Sequence, residues 1–112
     1  MGRILFVSSV AALTGGVVGP HYAASKAALH GLMHHLAPRV ADSGVTVNTI
    51  APALIAGTRM LPGGDPGGNP PLPIPVGRLG QPEEIGDMAL AMLANAYLTD
   101  KVIAVDGGIY PA

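Results

Sequence analysis

The sequence has no cysteine and no tryptophan, and phenylalanine and tyrosine make up only 4% of its 112 residues. The absence of cysteine excludes disulfide bonds, thiolate zinc sites and a cysteine nucleophile. Charged residues are also scarce, at 12%, and the formal net charge is -1. So few Lys and Arg side chains argue against a nucleic-acid-binding protein, because such binding depends on neutralising many phosphates.

Long apolar runs are absent too, although no Lys, Arg, Asp or Glu lies between Arg3 and Lys26. Serine, threonine, glycine and proline interrupt that stretch, so it lacks the ~20 consecutive apolar residues of a transmembrane helix. The same residues make a poor apolar region for a secretory signal. We therefore predict no membrane interaction.

Glycine and proline are abundant, with 16 and 11 residues, and hydrophobic residues make up 49% of the chain. This aliphatic content predicts one compact domain over residues 1–112 rather than a disordered segment. Six of the glycines and six of the prolines fall within residues 57–77. So many glycines and prolines are incompatible with a regular helix or strand. We therefore predict a long loop that is the most mobile part of the chain.

The remaining pattern alternates short β-branched runs with longer helical segments, which predicts an α/β fold with a parallel sheet and right-handed crossovers. Strands are predicted at residues 4–7, 45–50 and 101–105, and helices at residues 21–41 and 82–98. The first strand is continuously apolar, which is typical of a strand buried on both faces. In the first helix, Ala23, Ala27 and Gly31 form a flat face suited to close packing.

Two polar residues of the first predicted helix, Tyr22 and Lys26, are four positions apart and project from one face. A phenol ordinarily has a pKa of ~10, and bringing it near 7 takes ~4 kcal/mol of preferential stabilisation of the phenolate. A nearby ammonium group is one source of that stabilisation, so such a pair can serve as acid and base. The alternative is that both side chains only pack along the helix surface.

Ser9 follows the first predicted strand, at the edge where open α/β sheets bind their ligands. Its hydroxyl could donate a hydrogen bond to a substrate oxygen without acting as a nucleophile. The alternative is that Ser8 and Ser9 only end the strand. The joint spacing of Ser9, Tyr22 and Lys26 on a strand end and the following helix favours the functional interpretation.

Five segments of the sequence, taken in order, resemble the short-chain dehydrogenase/reductase family. They are residues 2–9, 22–28, 45–52, 77–85 and 105–108. These segments are similar to the family's strand before the catalytic serine, its active-site helix, the strand entering its nicotinamide loop, its late helix start and its final strand. The resemblance implies a Rossmann-like parallel sheet of three strands with crossover helices, equivalent to the second half of a doubly wound domain.

The resemblance implies catalytic roles for Ser9, Tyr22 and Lys26. Tyr22 would protonate the carbonyl oxygen of a small-molecule substrate during reduction, and would act as base when a secondary alcohol is oxidised. Lys26 would support the phenolate and hold the nicotinamide ribose hydroxyls, while Ser9 would orient the substrate oxygen. NAD or NADP would supply the hydride, so the protein would need only to supply the proton and to orient the substrate and the cofactor.

The resemblance also places Pro52, Ala53, Ile55 and Thr58 against the nicotinamide carboxamide or the diphosphate, and makes the glycine- and proline-rich loop a substrate lid. Ala53 stands where the family usually has glycine, and it adds a methyl group where backbone and cofactor come close. Gly57 occupies the position of the family's threonine, and Thr58 comes one residue later.

The sequence has no counterpart of the family's nucleotide-binding first half. No glycine pair follows a strand in the Gly-x-Gly-x-x-Gly pattern that binds a pyrophosphate. The chain therefore resembles the carboxyl-terminal half of an oxoacyl-thioester reductase-like dehydrogenase, and residues 1–112 alone are expected to be inactive. An open alternative is a non-catalytic remnant that serves as an interaction or dimerisation module.

His30 and His34 are four positions apart on the first predicted helix, which is a spacing that allows a metal-binding pair. No third ligand is evident, so we predict no metal site and interpret the histidines as polar or interface residues. In the family this helix packs against its mate in another subunit. We therefore expect a cytoplasmic homo-oligomer that forms through residues 21–41 and the carboxyl-terminal strand.

Overall fold

The computed structural model describes residues 1–16, 18–57 and 73–111 of the chain. Its elements are strand β1 (Gly2–Val7), helix α1 (Ala11–Thr14), helix α2 (Pro20–Val40), a 3-10 turn (Ala41–Ser43), strand β2 (Val45–Pro52), helix α3 (Pro82–Ala94) and strand β3 (Val102–Val105). The strands pair in parallel in the order β1-β2-β3. The predicted α/β architecture with three parallel strands is confirmed. Every helix in the described ranges is too short or too polar to cross a bilayer.

The three strands end at one edge of the sheet. Val7 of β1 pairs with Ile50 of β2, and Pro52 of β2 pairs with Val105 of β3. The residues that follow each strand therefore meet at this edge, as ligand-binding residues do in open α/β sheets.

The central strand β2 is the most buried element of the sheet. Residues 46–51 are all buried, and Val47 and Thr49 are 0% exposed. The first strand does not match its prediction of burial on both faces, because Ile4 and Val7 are 37% and 53% exposed. Strand β1 is partly exposed because it is an outer strand of the described sheet and pairs only with β2.

Helix α2 packs on the sheet through Met33 and Ala37 rather than through its predicted small-residue face. Met33 and Ala37 are buried with Val47 in the main core cluster. Ala27 and Gly31, which belong to the predicted close-packing face, are exposed, and a Cβ atom added at Gly31 would meet nothing within 4 Å. The prediction that the small-residue face packs closely is therefore not met within the described residues.

Helices α2 and α3 lie on opposite faces of the sheet. Phe6 of β1 packs with Met33 of α2, whereas Arg3 Nε donates a hydrogen bond to the carbonyl oxygen of Leu93 in α3 at 2.9 Å. Odd- and even-numbered residues of a strand point to opposite faces. The β1–α2–β2 and β2–α3–β3 crossovers both move to the next strand in the same direction across the sheet. Because their helices lie on opposite faces, the two crossovers have opposite hands. The prediction of right-handed crossovers is therefore wrong for one of them.

Helix α3 begins at Pro82 as predicted but ends at Ala94 rather than near Leu98. Asn95 has an extended backbone (φ -96°, ψ 108°), and its Oδ1 accepts a hydrogen bond from the backbone N–H of Tyr97 at 2.9 Å. An asparagine side chain that bonds its own backbone in this way competes with the helix, and that ends α3 early.

Asn48 ties the connection between α3 and β3 to the middle of the sheet. Its side chain is 2% exposed; Nδ2 donates to the carbonyl oxygen of Leu98 at 2.9 Å, and Oδ1 accepts from the N–H of Lys101 at 3.2 Å. We expect Asn48→Ala to lower the free energy of unfolding by about 2–3 kcal/mol, because both hydrogen bonds are lost and a cavity forms. Chemical denaturation measures the loss.

Thr49→Val is the matched control from the next position of β2. The Thr49 hydroxyl donates to Sδ of Met33 at 3.2 Å, and a thioether is a weak acceptor. We therefore expect the free energy of unfolding to change by less than about 1 kcal/mol. Equal losses in the two variants would contradict the role given to the Asn48 hydrogen bonds.

Candidate active site

The segment after β1 is held beside the end of β2 by backbone hydrogen bonds. The N–H of Ser8 donates to the carbonyl oxygen of Ile50 at 2.9 Å, and the N–H of Val10 donates to that of Pro52 at 3.1 Å. Ser9 lies between these two anchors. The structure thus brings the predicted catalytic serine next to Pro52, the first residue of the predicted nicotinamide loop.

Ser9 itself is half-buried and lies two residues before the short helix α1, which was not predicted from the sequence. Its Oγ accepts a hydrogen bond from the N–H of Ala11 at 3.1 Å, and its carbonyl oxygen accepts one from Ala12 at 2.9 Å. Because the hydroxyl oxygen is the acceptor in the bond to Ala11, its hydrogen can be donated elsewhere. Helix α1 packs against α2, so the serine segment is fixed relative to that helix.

Tyr22 and Lys26 lie in the first turns of α2 and are both half-buried. Pro20 occupies the first helical position, where its missing N–H is not needed. The Nζ atom of Lys26 lies 5.6 Å from the centroid of the Tyr22 ring, within the range of a cation–π contact. The predicted pair is therefore adjacent in space, with an ammonium group beside the aromatic ring that carries the phenol.

The predicted nicotinamide loop forms one wall of a small cavity of about 110 Å³. Ala53 and Ile55 line it, and Val105 and Gly107 at the end of β3 lie on another side. The loop is held by two backbone hydrogen bonds, from Ala56 N–H to the Gly80 carbonyl at 2.8 Å and from Gly80 N–H to the Leu54 carbonyl at 3.1 Å. A Cβ at Gly80 would lie 2.8 Å from Ile55 Cδ1, so a larger residue here would displace the end of the Ile55 side chain.

Ser9, Tyr22 and Lys26 do not line this cavity, so the structure places the predicted catalytic residues and the predicted loop residues in two groups at the same end of the sheet. Thr58 lies outside the described residues, as do residues 58–72 of the predicted mobile loop 57–77. Neither prediction is tested by the structure.

Alanine at position 53, where the resembling family usually has glycine, is compatible with the local backbone. Leu54 (φ 55°) and Gly57 (φ 76°) have the left-handed conformation in this loop, and Ala53 does not. The methyl group therefore costs no backbone strain. It faces the same cavity that Ile55 lines.

The histidines of α2 bind different partners. His30 Nε2 shares a hydrogen bond of 2.7 Å with the buried hydroxyl of Ser8, and His34 Nδ1 is 2.6 Å from Asp100 Oδ1. Within the part of the chain that the structure describes, no group of three or more His, Asp or Glu residues could hold a metal ion. The Ser8–His30 contact was not predicted from the sequence; the spacing of Tyr22, Lys26 and His30 by four positions places His30 on the same side of the helix but does not identify its partner.

The segment at residues 77–85 builds the start of α3. The guanidinium of Arg78 donates to both carboxylate oxygens of Glu84, at 2.7 and 2.8 Å. Glu84 also accepts a hydrogen bond from the backbone N–H of Gln81 at 2.9 Å, as part of a capping box. The Arg78 bonds first, and the Gln81 bond second, lower the pKa of Glu84 to about 2.

We expect Glu84→Gln to flatten the acid dependence of stability. Since the folded-state pKa of Glu84 is lowered to about 2, its contribution is present above the ordinary carboxyl pKa of ~4.3 and is lost as the pH falls toward 2. The variant should therefore lose less unfolding free energy than the wild type between about pH 5 and pH 2. Glu83→Gln removes a charge from the same turn, and equal flattening by that control would contradict the assignment.

Comparisons with known proteins agree over nearly the whole chain. A family model described as Enoyl-(Acyl carrier protein) reductase matches residues 1–110. The chain is 41% identical over 113 residues to a 3-oxoacyl-acyl-carrier-protein reductase of Vibrio cholerae. It is 39% identical over 112 residues to a 2-dehydro-3-deoxy-D-gluconate 5-dehydrogenase of Bacillus subtilis.

A crystal structure of a 3-oxoacyl-acyl-carrier-protein reductase from Brucella melitensis matches with a TM-score of 0.87 at 38% identity, covering 98% of this chain and 42% of that one. The Vibrio and Bacillus relatives are covered over 46% and 44% of their own length, for 97% and 96% of this chain. The chain thus spans less than half the length of the curated relatives it matches. The Rossmann-like fold is confirmed.

Proposed function

Because the chain belongs to the short-chain dehydrogenase/reductase family, we propose that Ser9, Tyr22 and Lys26 form the proton-transfer site of a nicotinamide-dependent oxidoreductase. The observation that carries this proposal is the pair on α2, where Lys26 Nζ lies 5.6 Å from the Tyr22 ring centroid. The same helix packs against α1, which follows Ser9 directly. The reaction is the reduction of a carbonyl group or, in reverse, the oxidation of a secondary alcohol.

The three residues divide the chemistry. Tyr22 donates the phenolic proton to the carbonyl oxygen during reduction and accepts a proton in the reverse direction. Ser9, whose hydroxyl hydrogen can be donated, orients the same oxygen. Lys26 stabilises the negative charge that develops on the Tyr22 oxygen when the proton leaves, because a fixed cation favours the charged phenolate.

The residues at this edge fit the nicotinamide end of NAD or NADP, which supplies the hydride when bound. Tyr22 and Lys26 offer hydrogen-bonding groups for ribose hydroxyls, and Pro52, Ala53 and Ile55 contribute a largely apolar loop. We propose the same role for Thr58, which lies outside the described residues. These residues do not provide a site for the pyrophosphate and adenosine end of such a cofactor, because residues 1–112 contain no Gly-x-Gly-x-x-Gly turn. We propose that these residues alone do not support turnover.

We also propose a homo-oligomer in which the exposed side of α2 and strand β3 form contacts. Ala27 and Gly31 allow close approach of a second helix, and Leu32 of the same helix is 45% exposed. The same features would serve a non-catalytic interaction module. The two functions differ in whether Ser9, Tyr22 and Lys26 are needed.

The test of the proposed function is a chimera in which residues 1–112 replace the matching region of the Vibrio cholerae reductase. The substrate is a 3-oxoacyl thioester, and oxidation of NADPH or NADH is followed by nicotinamide absorbance. We expect turnover that depends on Tyr22. A folded chimera that binds cofactor but has no turnover would refute the enzymatic proposal and favour the interaction module.

A further inference from the structure

Ser8 and His30 connect the strand edge to the helix that carries Tyr22. Ser8 is 3% exposed, and its Oγ shares a hydrogen bond of 2.7 Å with His30 Nε2. The backbone N–H of Ser8 donates to the carbonyl oxygen of Ile50 at 2.9 Å. Ser8 is therefore held by β2 through its backbone and by α2 through its side chain.

His30 lies in the same row of α2 as Tyr22 and Lys26. The three residues are spaced by four positions, so each lies one turn further along one side of the helix. Ser8 directly precedes Ser9 in the chain. One partly buried hydrogen bond therefore joins Ser8, the neighbour of the proposed substrate-orienting serine, to the helix that presents the proposed proton donor.

We propose that His30 is a positioning residue that acts through Ser8 and thereby sets the position of Ser9. A change in the protonation of His30 then changes the hydrogen bonding of Ser8 and the position of Ser9. The catalytic significance of this role rests on the proposed function, whereas the coupling itself is a property of this chain. In the neutral tautomer that carries its proton on Nδ1, Nε2 accepts the hydrogen of the Ser8 hydroxyl. An imidazolium can only donate, so protonation reverses the bond and turns the hydroxyl hydrogen away from His30.

The surroundings of His30 favour its neutral form. Burial first, and the charge of His34 second, lower the pKa of His30. Lys26 and His34 are one turn away on either side of it. Among the other elements, the segment between α3 and β3 brings Asp100 to this side of α2, where its carboxylate is bonded to His34 and not to His30. Helix α1 has no titratable group, Arg3 of β1 points to the opposite face, and Val47 and Thr49 of β2 are uncharged. Protonation of His30 therefore adds a charge to which no described carboxylate is directly bonded.

The test is an NMR titration of the 112-residue chain between about pH 8 and pH 4, without cofactor. In the wild type we expect the backbone amide signals of Ser9 and Ala11 to shift with the same midpoint as the His30 ring protons. In Ser8→Ala the His30 ring should still titrate, while the Ser9 and Ala11 signals lose most of their pH-dependent shift. That difference separates transmission through the hydroxyl from a direct effect of the imidazolium charge, which Ser8→Ala leaves in place.

Two further variants complete the design. Ser8→Thr keeps the hydroxyl and should restore the coupled shift, and His30→Gln should leave the Ser9 signals independent of pH. His35→Gln, which changes an exposed histidine of the same helix, should leave the coupling as in the wild type. The proposal is overturned if the Ser9 signals do not titrate with His30 in the wild type, or if they titrate equally in Ser8→Ala. Neither result depends on cofactor binding, so the proposed function is tested separately by Tyr22.

Discussion

Replacing Tyr22 with phenylalanine in the chimera is expected to lower kcat for carbonyl reduction by about 10²–10⁴-fold, the usual contribution of a general acid. The substitution removes the phenolic oxygen and the proton that it donates, but it keeps the aromatic ring. The contact of that ring with Lys26 Nζ at 5.6 Å can therefore persist, and the fold should be unchanged. The KM for cofactor should change much less than kcat, because most cofactor contacts are elsewhere.

Tyr97→Phe is the matched control, because Tyr97 is 100% exposed and lies in the turn after α3. It removes the same oxygen atom and should leave kcat at the wild-type value. Circular dichroism on both variants checks that the fold is retained. Near-normal carbonyl reduction by Tyr22→Phe would show that another group donates the proton.

Residues 1–112 by themselves are expected to bind NADH or NADPH at least about 10³-fold more weakly than the chimera does. Tyr22, Lys26 and the loop after β2 can contact only the nicotinamide end. A glycine-rich turn with a helix N-terminus normally holds the pyrophosphate, and losing two or three charge-assisted contacts at ~1.5–3 kcal/mol each accounts for the difference.

A fluorescence titration of the purified chain with NADH and NADPH measures this directly. We expect no saturation in the micromolar range and no turnover. Saturable micromolar binding would contradict the prediction, and would mean that a second copy of the chain or an unrecognised glycine loop completes the site.

Several features that follow from local sequence were predicted correctly. The Tyr22–Lys26 pair needs only the helical repeat, and β2 is marked by the β-branched residues between Val45 and Ile50. The start of α3 was readable from Pro82 and the acidic residues after it. Each of these features depends on residues that are close together in the sequence, so the local sequence pattern is enough to predict it.

The features that depend on distant contacts were not predictable. The opposite hands of the two crossovers rest on which sheet face α3 occupies, and the bond from Arg3 to Leu93 joins residues 90 positions apart. The Ser8–His30 bond spans 22 positions, and no local pattern marks one serine of a pair as its partner. Helix α1 has four residues, which is too short for a periodic signal.

In the proposed function, the nicotinamide and the substrate meet between α2 and the loop after β2. The most direct test is a crystal structure of the chimera with oxidised cofactor bound. We expect the nicotinamide ring to lie between the Tyr22 side chain and residues 52–55, with Lys26 Nζ hydrogen-bonded to the ribose. A nicotinamide ring bound away from Tyr22, with Lys26 contacting only protein or water, would contradict it.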